Sequence, residues 1–93
     1  MRKYELMMIF PIEEELSKTG LEGVKAVLGE FGAEIEKEEP FGDRDLCYEI
    51  KKQTRGRFVL LVIKVNPARI VEIEGRFKLN KDVLKYLFVR IEG

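Results

Sequence analysis

The stretch LCYEIKKQTRGRFVLLVIKV, residues 46–65, has the pattern of two β-strands joined by a hairpin. Leu46, Tyr48 and Ile50 alternate with other side chains, which is typical of a strand with one covered face. The run from Phe58 to Val65 is apolar on both of its faces, which predicts a central strand. The basic segment 51–56 between the two runs is predicted to form the hairpin loop.

A strand and a helix are predicted on the N-terminal side of this hairpin. Residues 2–10 (RKYELMMIF) form a nearly continuous apolar run, which indicates a second central strand. Apolar residues then recur at spacings of three and four from Leu21 to Phe31, which predicts an amphipathic helix, and Gly32 follows where a left-handed cap belongs. Residues 33–50 are predicted to form one strand, with a bend or bulge near Pro40 and Gly42.

The C-terminal side repeats the pattern of helix and strand. Pro67 suits the first turn of a helix with Ile70, either Ile73 or Glu74, and Phe77 on its inner face, and residues 83–91 form a last strand. The order βαββαβ with right-handed crossovers predicts an α+β ferredoxin-like sandwich, in which a four-stranded antiparallel sheet carries two helices on one face. We expect residues 1–93 to form a single domain, with the opposite sheet face left for a partner.

The composition disfavours catalysis and metal binding. The chain has no histidine, one cysteine (Cys47) and three hydroxyl residues of the Ser or Thr type, too few for Ser-His-Asp or Cys-His chemistry or for a zinc site. Acidic residues between positions 34 and 39 alternate along a strand, so they do not converge on an ion. No glycine-rich phosphate loop is present. We therefore expect no enzymatic activity, no cofactor, no metal and no small-molecule substrate.

The remaining compositional features indicate a soluble protein of the reducing cytoplasm. One cysteine cannot form an internal disulfide, and Cys47 is expected to pack in the core or at a sheet edge. No secretory signal pattern occurs at the N-terminus, and no apolar run reaches the length of about 18 residues that a membrane-spanning helix needs. Apart from Arg44, the run from Asp43 to Asp45 is expected to be a solvated turn.

The charges are balanced in number but uneven in placement. Lys plus Arg and Asp plus Glu are 17 each, so net charge does not indicate a nucleic-acid partner. Acids crowd residues 13–39, whereas the segment 51–57 holds four cations and no acid. Tyr48 and Phe58 flank those cations, and cations beside aromatic rings suit RNA. Basic hairpin loops are also common without any such role, so charge alone leaves both interpretations open.

Short motifs spread along nearly the whole chain carry a family resemblance. They are MRKYE at residues 1–5, GAEI at 32–35, the pattern Gly42-x-Arg44-x-Leu46-x-Tyr48-x-Ile50-x-Lys52, Gly56-x-Phe58, and the closing strand VLKYLFVR at 83–90. In this order and spacing the motifs resemble bacterial small-subunit ribosomal protein six.

The resemblance implies a structural constituent of the cytoplasmic ribosome. Such a protein would bind the central domain of 16S ribosomal RNA together with small-subunit ribosomal protein eighteen. The basic and aromatic residues that would contact the RNA are Arg2, Lys3, Tyr4, Arg44, Lys51, Lys52, Arg55, Arg57 and Arg90. The partner protein would contact Leu46, Tyr48 and Ile50 together with the exposed sheet face.

Two features depart from the family pattern. Cys47 and Glu49 flank Tyr48 where relatives commonly have alanine and proline, and Glu49 adds a negative charge near the expected basic surface. The sequence ends at Gly93, so the C-terminal extension with which many relatives contact their partner is expected to be missing. Contacts of that kind are then expected to be reduced or moved.

Two alternatives with the same order of elements remain. The segment Arg55–Val59 partly matches the third-strand signature of the RNA-recognition motif, a generic single-stranded RNA-binding domain. That signature needs aromatic rings where this chain has Val59 and Leu61. The other alternative is a small ferredoxin-like ligand-binding regulator or acylphosphatase-like enzyme, which the lack of histidine and of a glycine-rich phosphate loop disfavours.

Overall fold

The computed structural model describes residues 1–92, and Gly93, where the sequence analysis expects the chain to end, lies outside the described residues. The helices and strands, in chain order, are β1 (Arg2–Phe10), α1 (Glu14–Glu30), β2 (Glu34–Ile50), β3 (Gln53–Val65), α2 (Ile70–Phe77) and β4 (Lys85–Glu92). A short 3₁₀ turn, Pro67–Arg69, leads into α2. The strands form one antiparallel sheet in the order β2-β3-β1-β4. The predicted ferredoxin-like α+β fold and the central positions of β1 and β3 are confirmed.

The core lies between the sheet and the two helices. Alternate residues of the central strands point toward the helices, because side chains on a strand alternate between its faces. The buried side chains of this layer include Leu6, Met8, Phe10, Val24, Leu28, Val59, Leu61, Ile63, Ile73 and Phe77. Full burial of one large apolar side chain contributes about 1.5–3 kcal/mol, so this layer is the main source of stability.

Helix α1 begins earlier than the apolar pattern predicts. Its first turn contains Glu14 and Glu15, whose negative charges are favourable beside the positive end of the helix dipole. The predicted end at Gly32 is confirmed, since this residue has a φ of +75°. The amide of Gly32 donates to the Gly29 carbonyl at 3.1 Å and that of Ala33 donates to the Leu28 carbonyl at 2.9 Å, which is the Schellman arrangement.

The hairpin between β2 and β3 is tighter than predicted. The turn consists of Lys51 and Lys52, with φ of 48° and 65°, so the prediction of a loop over residues 51–56 is wrong. Strand β3 already begins at Gln53, which pairs with Ile50 next to the turn. Asp43 and Asp45 of β2 lie opposite Arg57 and Arg55 of β3, so the paired part of the two strands extends almost to the turn. For the same reason residues 43–45 lie in β2 and do not form a solvated turn.

Strand β2 is irregular, as the prediction of one interrupted strand requires. Its register against β3 shifts between Ile35 and Lys37, and again between Pro40 and Gly42. A third shift lies between Asp45 and Ile50, where residues 46–49 of β2 span a stretch that β3 covers with Thr54 alone. We call residues 46–49 the bulged segment; extra residues of this kind bend a strand and redirect its side chains.

The sheet face that points away from the helices is partly apolar. We call it the open face, and its apolar members include Met7, Leu60, Val62, Leu87 and Val89. Leu87 and Val89 are 57% and 43% exposed. This matches the expectation that one sheet face is left uncovered. Within residues 1–92, no helix is both long and apolar enough to cross a membrane.

Candidate nucleic-acid interface

The basic residues predicted to contact RNA lie at opposite ends of the sheet. Arg2 pairs with Val65 at one end of the β1–β3 ladder, and Phe10 pairs with Arg57 at the other end. At about 3.3 Å per residue, a strand of this length separates the two ends by about 27 Å. The structure therefore brings the predicted residues together as two clusters. The N-terminal cluster is Arg2, Lys3 and Arg90, and the hairpin cluster is Arg44, Lys51, Lys52, Arg55 and Arg57.

The N-terminal cluster surrounds the start of β1. Arg2 is exposed, whereas the Lys3 ammonium lies 3.2 Å from one carboxylate oxygen of Glu36 and Lys64 lies 3.2 Å from the other. Hydrogen bonds from these two lysines lower the pKa of Glu36. Tyr4 is only 7% exposed and packs edge to face against Phe88, with ring centroids 6.2 Å apart. Its ring thus belongs to the core beneath the cluster.

Two arginines of the hairpin cluster are neutralised by acids across the strands. The Arg57 Nε donates to Asp43 Oδ1 at 2.8 Å, and its Nη1 donates to Ser17 Oγ at 2.9 Å and to Glu14 Oε2 at 3.2 Å. These contacts raise the pKa of Arg57 and lower that of Asp43. Arg55 pairs with Asp45 at 3.1 Å. Arg57 therefore ties the hairpin to the first turns of α1.

These ion pairs had a signal in the sequence. Asp43 and Asp45 are spaced as Arg55 and Arg57 are, on two strands joined by a hairpin, and the bulged segment brings each acid opposite a cation. Residues directly opposite each other on antiparallel strands interact, so matching spacings of acids and cations favour cross-strand pairs. The segment 51–57 itself contains no acid, because the partners of its arginines lie on the preceding strand.

The other cations of the hairpin cluster form no ion pair with any residue in the described range 1–92. Arg44 is exposed, and its Nε donates at 3.4 Å to the Phe41 carbonyl. Lys52 is exposed at the turn, and the Lys51 ammonium donates to the Val83 carbonyl at 3.0 Å. These three side chains are therefore the hairpin cations with charge available for phosphate.

The residues predicted to contact the partner protein lie together. Leu46, Tyr48 and Ile50 line a cavity of about 170 Å³, which the bulged segment forms against Ile9 and Phe58 of the sheet. Tyr48 is 61% exposed, and its hydroxyl accepts a hydrogen bond of 3.1 Å from the Lys85 ammonium. That ammonium also lies 5.7 Å from the centre of the Tyr48 ring.

Both departures from the family pattern lie in this segment. Cys47 and Glu49 are exposed. The thiol is therefore on the edge strand β2, one of the two positions expected for it, and not in the core. The described residues contain no group of three His, Cys, Asp or Glu side chains placed to hold a metal ion.

Sequence reasoning missed two lysines near the hairpin turn. Lys78, just after α2, and Lys85, at the start of β4, join Lys51 around a second cavity of about 340 Å³. Lys51 is far from Lys78 and Lys85 in the chain, and no local motif connects the three residues. Only the tertiary fold brings them together.

The two positions where an RNA-recognition motif needs aromatic rings belong to the core. Val59 is 5% exposed and Leu61 is fully buried beneath the helices. Side chains there cannot stack on a base. The motif would instead require rings on the open face.

A family model, curated relatives and a solved structure point to one family. The family model described as Ribosomal protein S6 matches residues 3–90. The chain is 55% identical to the small ribosomal subunit protein bS6 of Treponema denticola over 92 residues, which cover 99% of each chain. It is 40% identical to the bS6 protein of Treponema pallidum over 93 residues, covering 100% of both chains. The crystal structure of 30S ribosomal protein S6 from Thermotoga maritima superposes with a TM-score of 0.85 at 27% identity, covering 97% of this chain and 87% of that one.

Proposed function

Because this chain belongs to the ribosomal protein S6 family, whose members are structural proteins of the small ribosomal subunit in the cytoplasm, we propose that it binds the central domain of 16S ribosomal RNA. It does so as a pair with small-subunit ribosomal protein eighteen. Residues 1–93 act as one domain, and the role is assembly without catalysis. The observation that carries this proposal is an apolar open face with a basic cluster at each end.

The predicted residues of the two clusters contribute unequally to RNA binding in this proposal. Arg2, Lys3 and Arg90 bind at one end, and Arg44, Lys51 and Lys52 bind at the other. Arg55 also contributes, because its partner Asp45 is largely exposed and exposed ion pairs are weak enough to exchange with phosphate. Two residues predicted to contact RNA have a structural role instead. Arg57 holds the hairpin against α1, and Tyr4 supports the start of β1 from the core.

The partner protein covers the open face and the bulged segment. Leu46, Tyr48 and Ile50 present an apolar cavity with one aromatic ring at its rim, and such rings are common anchors in interfaces. Leu87 and Val89 extend the apolar surface toward the edge of β4. Apolar contact area of this kind, rimmed by charges, is typical of protein-binding surfaces.

A salt series with and without the partner tests the proposal. The purified chain is titrated against a central-domain fragment of 16S ribosomal RNA, with and without small-subunit ribosomal protein eighteen. Arg2→Glu, Lys52→Glu and Arg55→Glu should each flatten the dependence of log K on log salt by about one unit. Lys18→Glu, an exposed change on α1, is the control and should leave the slope unchanged.

Three outcomes are distinguishable. Tight, salt-sensitive binding that needs the partner supports the proposal. Equal and weak binding to any single strand supports a generic RNA-binding domain instead, and absence of binding under both conditions refutes both functions.

A further inference from the structure

Ile9 is buried although its side chain points away from the helices. Its neighbours Met8 and Phe10 both belong to the core beneath the helices, so by strand alternation Ile9 points to the open face. It is 8% exposed, whereas Leu87 and Val89 on the same face are 57% and 43% exposed. The cavity of about 170 Å³ lies between Ile9 and the bulged segment. The chain's own residues therefore already cover this end of the open face.

The contact between Tyr48 and Lys85 crosses the whole width of the sheet. Tyr48 belongs to β2 and Lys85 to β4, which are the two edge strands in the order β2-β3-β1-β4. Three strand spacings of about 4.8 Å separate these edges by about 14 Å. The Lys85 ammonium nevertheless donates to the Tyr48 hydroxyl at 3.1 Å and lies 5.7 Å from the centre of its ring. The bulged segment thus reaches across the sheet and is held there, with the cavity between it and the central strands.

The cavity is apolar inside, and the charged groups that line it already have partners. Asp45 pairs with Arg55 at 3.1 Å. Lys85 donates to the hydroxyl of Tyr48. A nucleobase in this cavity would leave its polar edges against apolar walls, which is unfavourable, so the interior suits an apolar group. The apolar walls are Ile9, Leu46, Ile50 and Phe58.

The volume of the cavity matches one side chain. Cavities of about 150 Å³ that are lined by leucine, isoleucine and phenylalanine stay dry and bind benzene. A phenyl ring or a branched aliphatic side chain is of comparable size. Cys47 and Tyr48 line the cavity and are exposed, so they mark the side on which it is open. A group of this size can therefore enter from the surface of the protein.

The position of the cavity indicates that a protein supplies this group. Lys85 at the rim is two residues, or about 7 Å along the strand, from Leu87 on the same face of β4. A protein that covers Leu87 is therefore within reach of the cavity, and side chains that fill pockets are common anchors of interfaces. The Lys85 ammonium has three N–H donors and uses one on Tyr48, so two remain for an oxygen of the entering segment.

We propose that this cavity receives one apolar side chain, of phenyl or branched aliphatic size, from the protein that covers the open face. The Lys85 ammonium donates to a carbonyl or carboxylate oxygen of the same segment. Burial of the side chain removes apolar surface of both proteins from water, which favours association. The source of the side chain rests on the proposed function, in which the partner is small-subunit ribosomal protein eighteen. The capacity of the cavity for an apolar group does not depend on it.

The single cysteine of the chain allows the cavity to be filled without a mutation. Cys47 is exposed and lines the cavity, so S-benzyl methanethiosulfonate attaches a phenyl group there, and S-methyl methanethiosulfonate attaches only a methyl group. In isothermal titration calorimetry, the benzyl form should bind the partner protein at least about tenfold more weakly than the methyl form, because loss of a buried anchor has an effect of this size. Equal affinities of the two forms overturn the proposal.

A moved cysteine separates filling of the cavity from crowding of the surface. Cys47→Ser combined with Glu49→Cys places the thiol on the same segment, at an exposed position that is not among the described residues lining the cavity. Benzylation there should weaken partner binding less than benzylation of Cys47 does, and an equal loss overturns the proposal. Far-ultraviolet circular dichroism confirms that each form is folded. If the benzyl group at Cys47 weakens binding of the 16S ribosomal RNA fragment without the partner, a nucleobase occupies the cavity and the proposal is also overturned.

Benzene titration of the free chain tests the cavity without the partner. With ¹³C-labelled methyl groups, the signals of Ile9, Leu46 and Ile50 should shift in a saturable way, and the benzyl form should lose these shifts. The Leu87 methyl groups, on the uncovered part of the open face, are the control and should show no saturable shift. If the wild type binds no partner, the proposed function fails and this titration alone decides. Saturable shifts then support the cavity with another apolar occupant, and shifts that do not saturate overturn it.

Discussion

At the scale of single residues, Arg57 shows how a cation predicted to contact RNA can have its charge used within the protein. Its Nε and Nη2 both donate to Asp43, at 2.8 and 3.3 Å, in the two-point geometry that suits a guanidinium and a carboxylate. Its Nη1 reaches Ser17 and Glu14 on α1. Few donors remain for a phosphate, so its main effect is to fix the hairpin.

The Asp43–Arg57 pair predicts a defined pH dependence of stability. Because the hydrogen bond from Arg57 lowers the pKa of Asp43 in the folded state, the pair stabilises the protein at pH values above the unfolded pKa of about 3.9. This stabilisation is lost as the pH falls through the lower folded pKa. Asp43→Asn should therefore reduce the free energy of unfolding by a constant amount above about pH 5 and by progressively less below about pH 4. Urea unfolding of the wild type and Asp43→Asn from neutral to acidic pH measures the difference in free energy of unfolding. A difference that does not vary with pH would contradict a lowered pKa of Asp43.

Gly56 is required by a close approach between strands and the bulged segment. A Cβ at this position would lie 2.4 Å from Ile9 Cγ2 and 3.3 Å from Leu46 Cδ2. Gly56→Ala should lower the free energy of unfolding by about 1–3 kcal/mol, the usual range for overpacking. Gly29→Ala is the matched control in α1, where a Cβ meets nothing within 4 Å, and it should gain about 0.5–1 kcal/mol. Urea midpoints measure both changes, and equal effects of the two would refute the steric explanation.

At the scale of helices and strands, the sequence predicted what local periodicity determines. The alternation in β1 and β3 and the glycine at the end of α1 are local signals, and they identified these elements correctly. The start of α1 was missed because acids favour a helix N-terminus without any apolar pattern. The length of the hairpin loop was predicted wrongly because it depends on the register of β2 against β3. That register pairs Asp45 with Arg55 across the strands.

The turn of the hairpin carries backbone strain that a substitution should relieve. Two-residue hairpin turns with both residues at positive φ favour Asn and Gly, whereas this turn has Lys51 and Lys52. Lys52→Gly should raise the free energy of unfolding by up to about 1 kcal/mol, since glycine adopts this conformation without a steric penalty. Gln53→Gly, one residue on and within β3, should lower it by about 0.5–1 kcal/mol. Thermal or urea unfolding tests the pair, and a loss of stability in Lys52→Gly would show that the turn is not strained.

At the scale of the whole molecule, function depends on where charges are placed and not on their sum. The net charge is zero, so attraction to RNA depends on how the charges are arranged. The fold separates the cations into two clusters at the ends of the sheet. The element order allowed the open face to be predicted, but it could not reveal that the clusters are separate. It could not reveal either that Lys78 and Lys85 join Lys51, because both results come from tertiary packing.

The open face between the clusters predicts which apolar residues matter for the partner protein. Leu87 lies on this face opposite Met7 and is 57% exposed, whereas Val71 on α2 is 79% exposed on the other side of the molecule. Leu87→Glu and Val71→Glu should each change the free energy of unfolding by no more than about 0.5 kcal/mol, as surface substitutions usually do. A charge buried under a partner without a counterion is costly, so Leu87→Glu should weaken binding of small-subunit ribosomal protein eighteen at least about tenfold, or about 1.4 kcal/mol.

Val71→Glu should leave that affinity unchanged, since no partner is expected on the helical side. Isothermal titration calorimetry of the two variants and the wild type measures the difference directly. If Val71→Glu weakens binding and Leu87→Glu does not, the partner occupies the helices and the open face has another use. If neither does, the bulged segment with Leu46 and Tyr48 must carry the contact alone, because it is the remaining predicted apolar surface at the sheet edge.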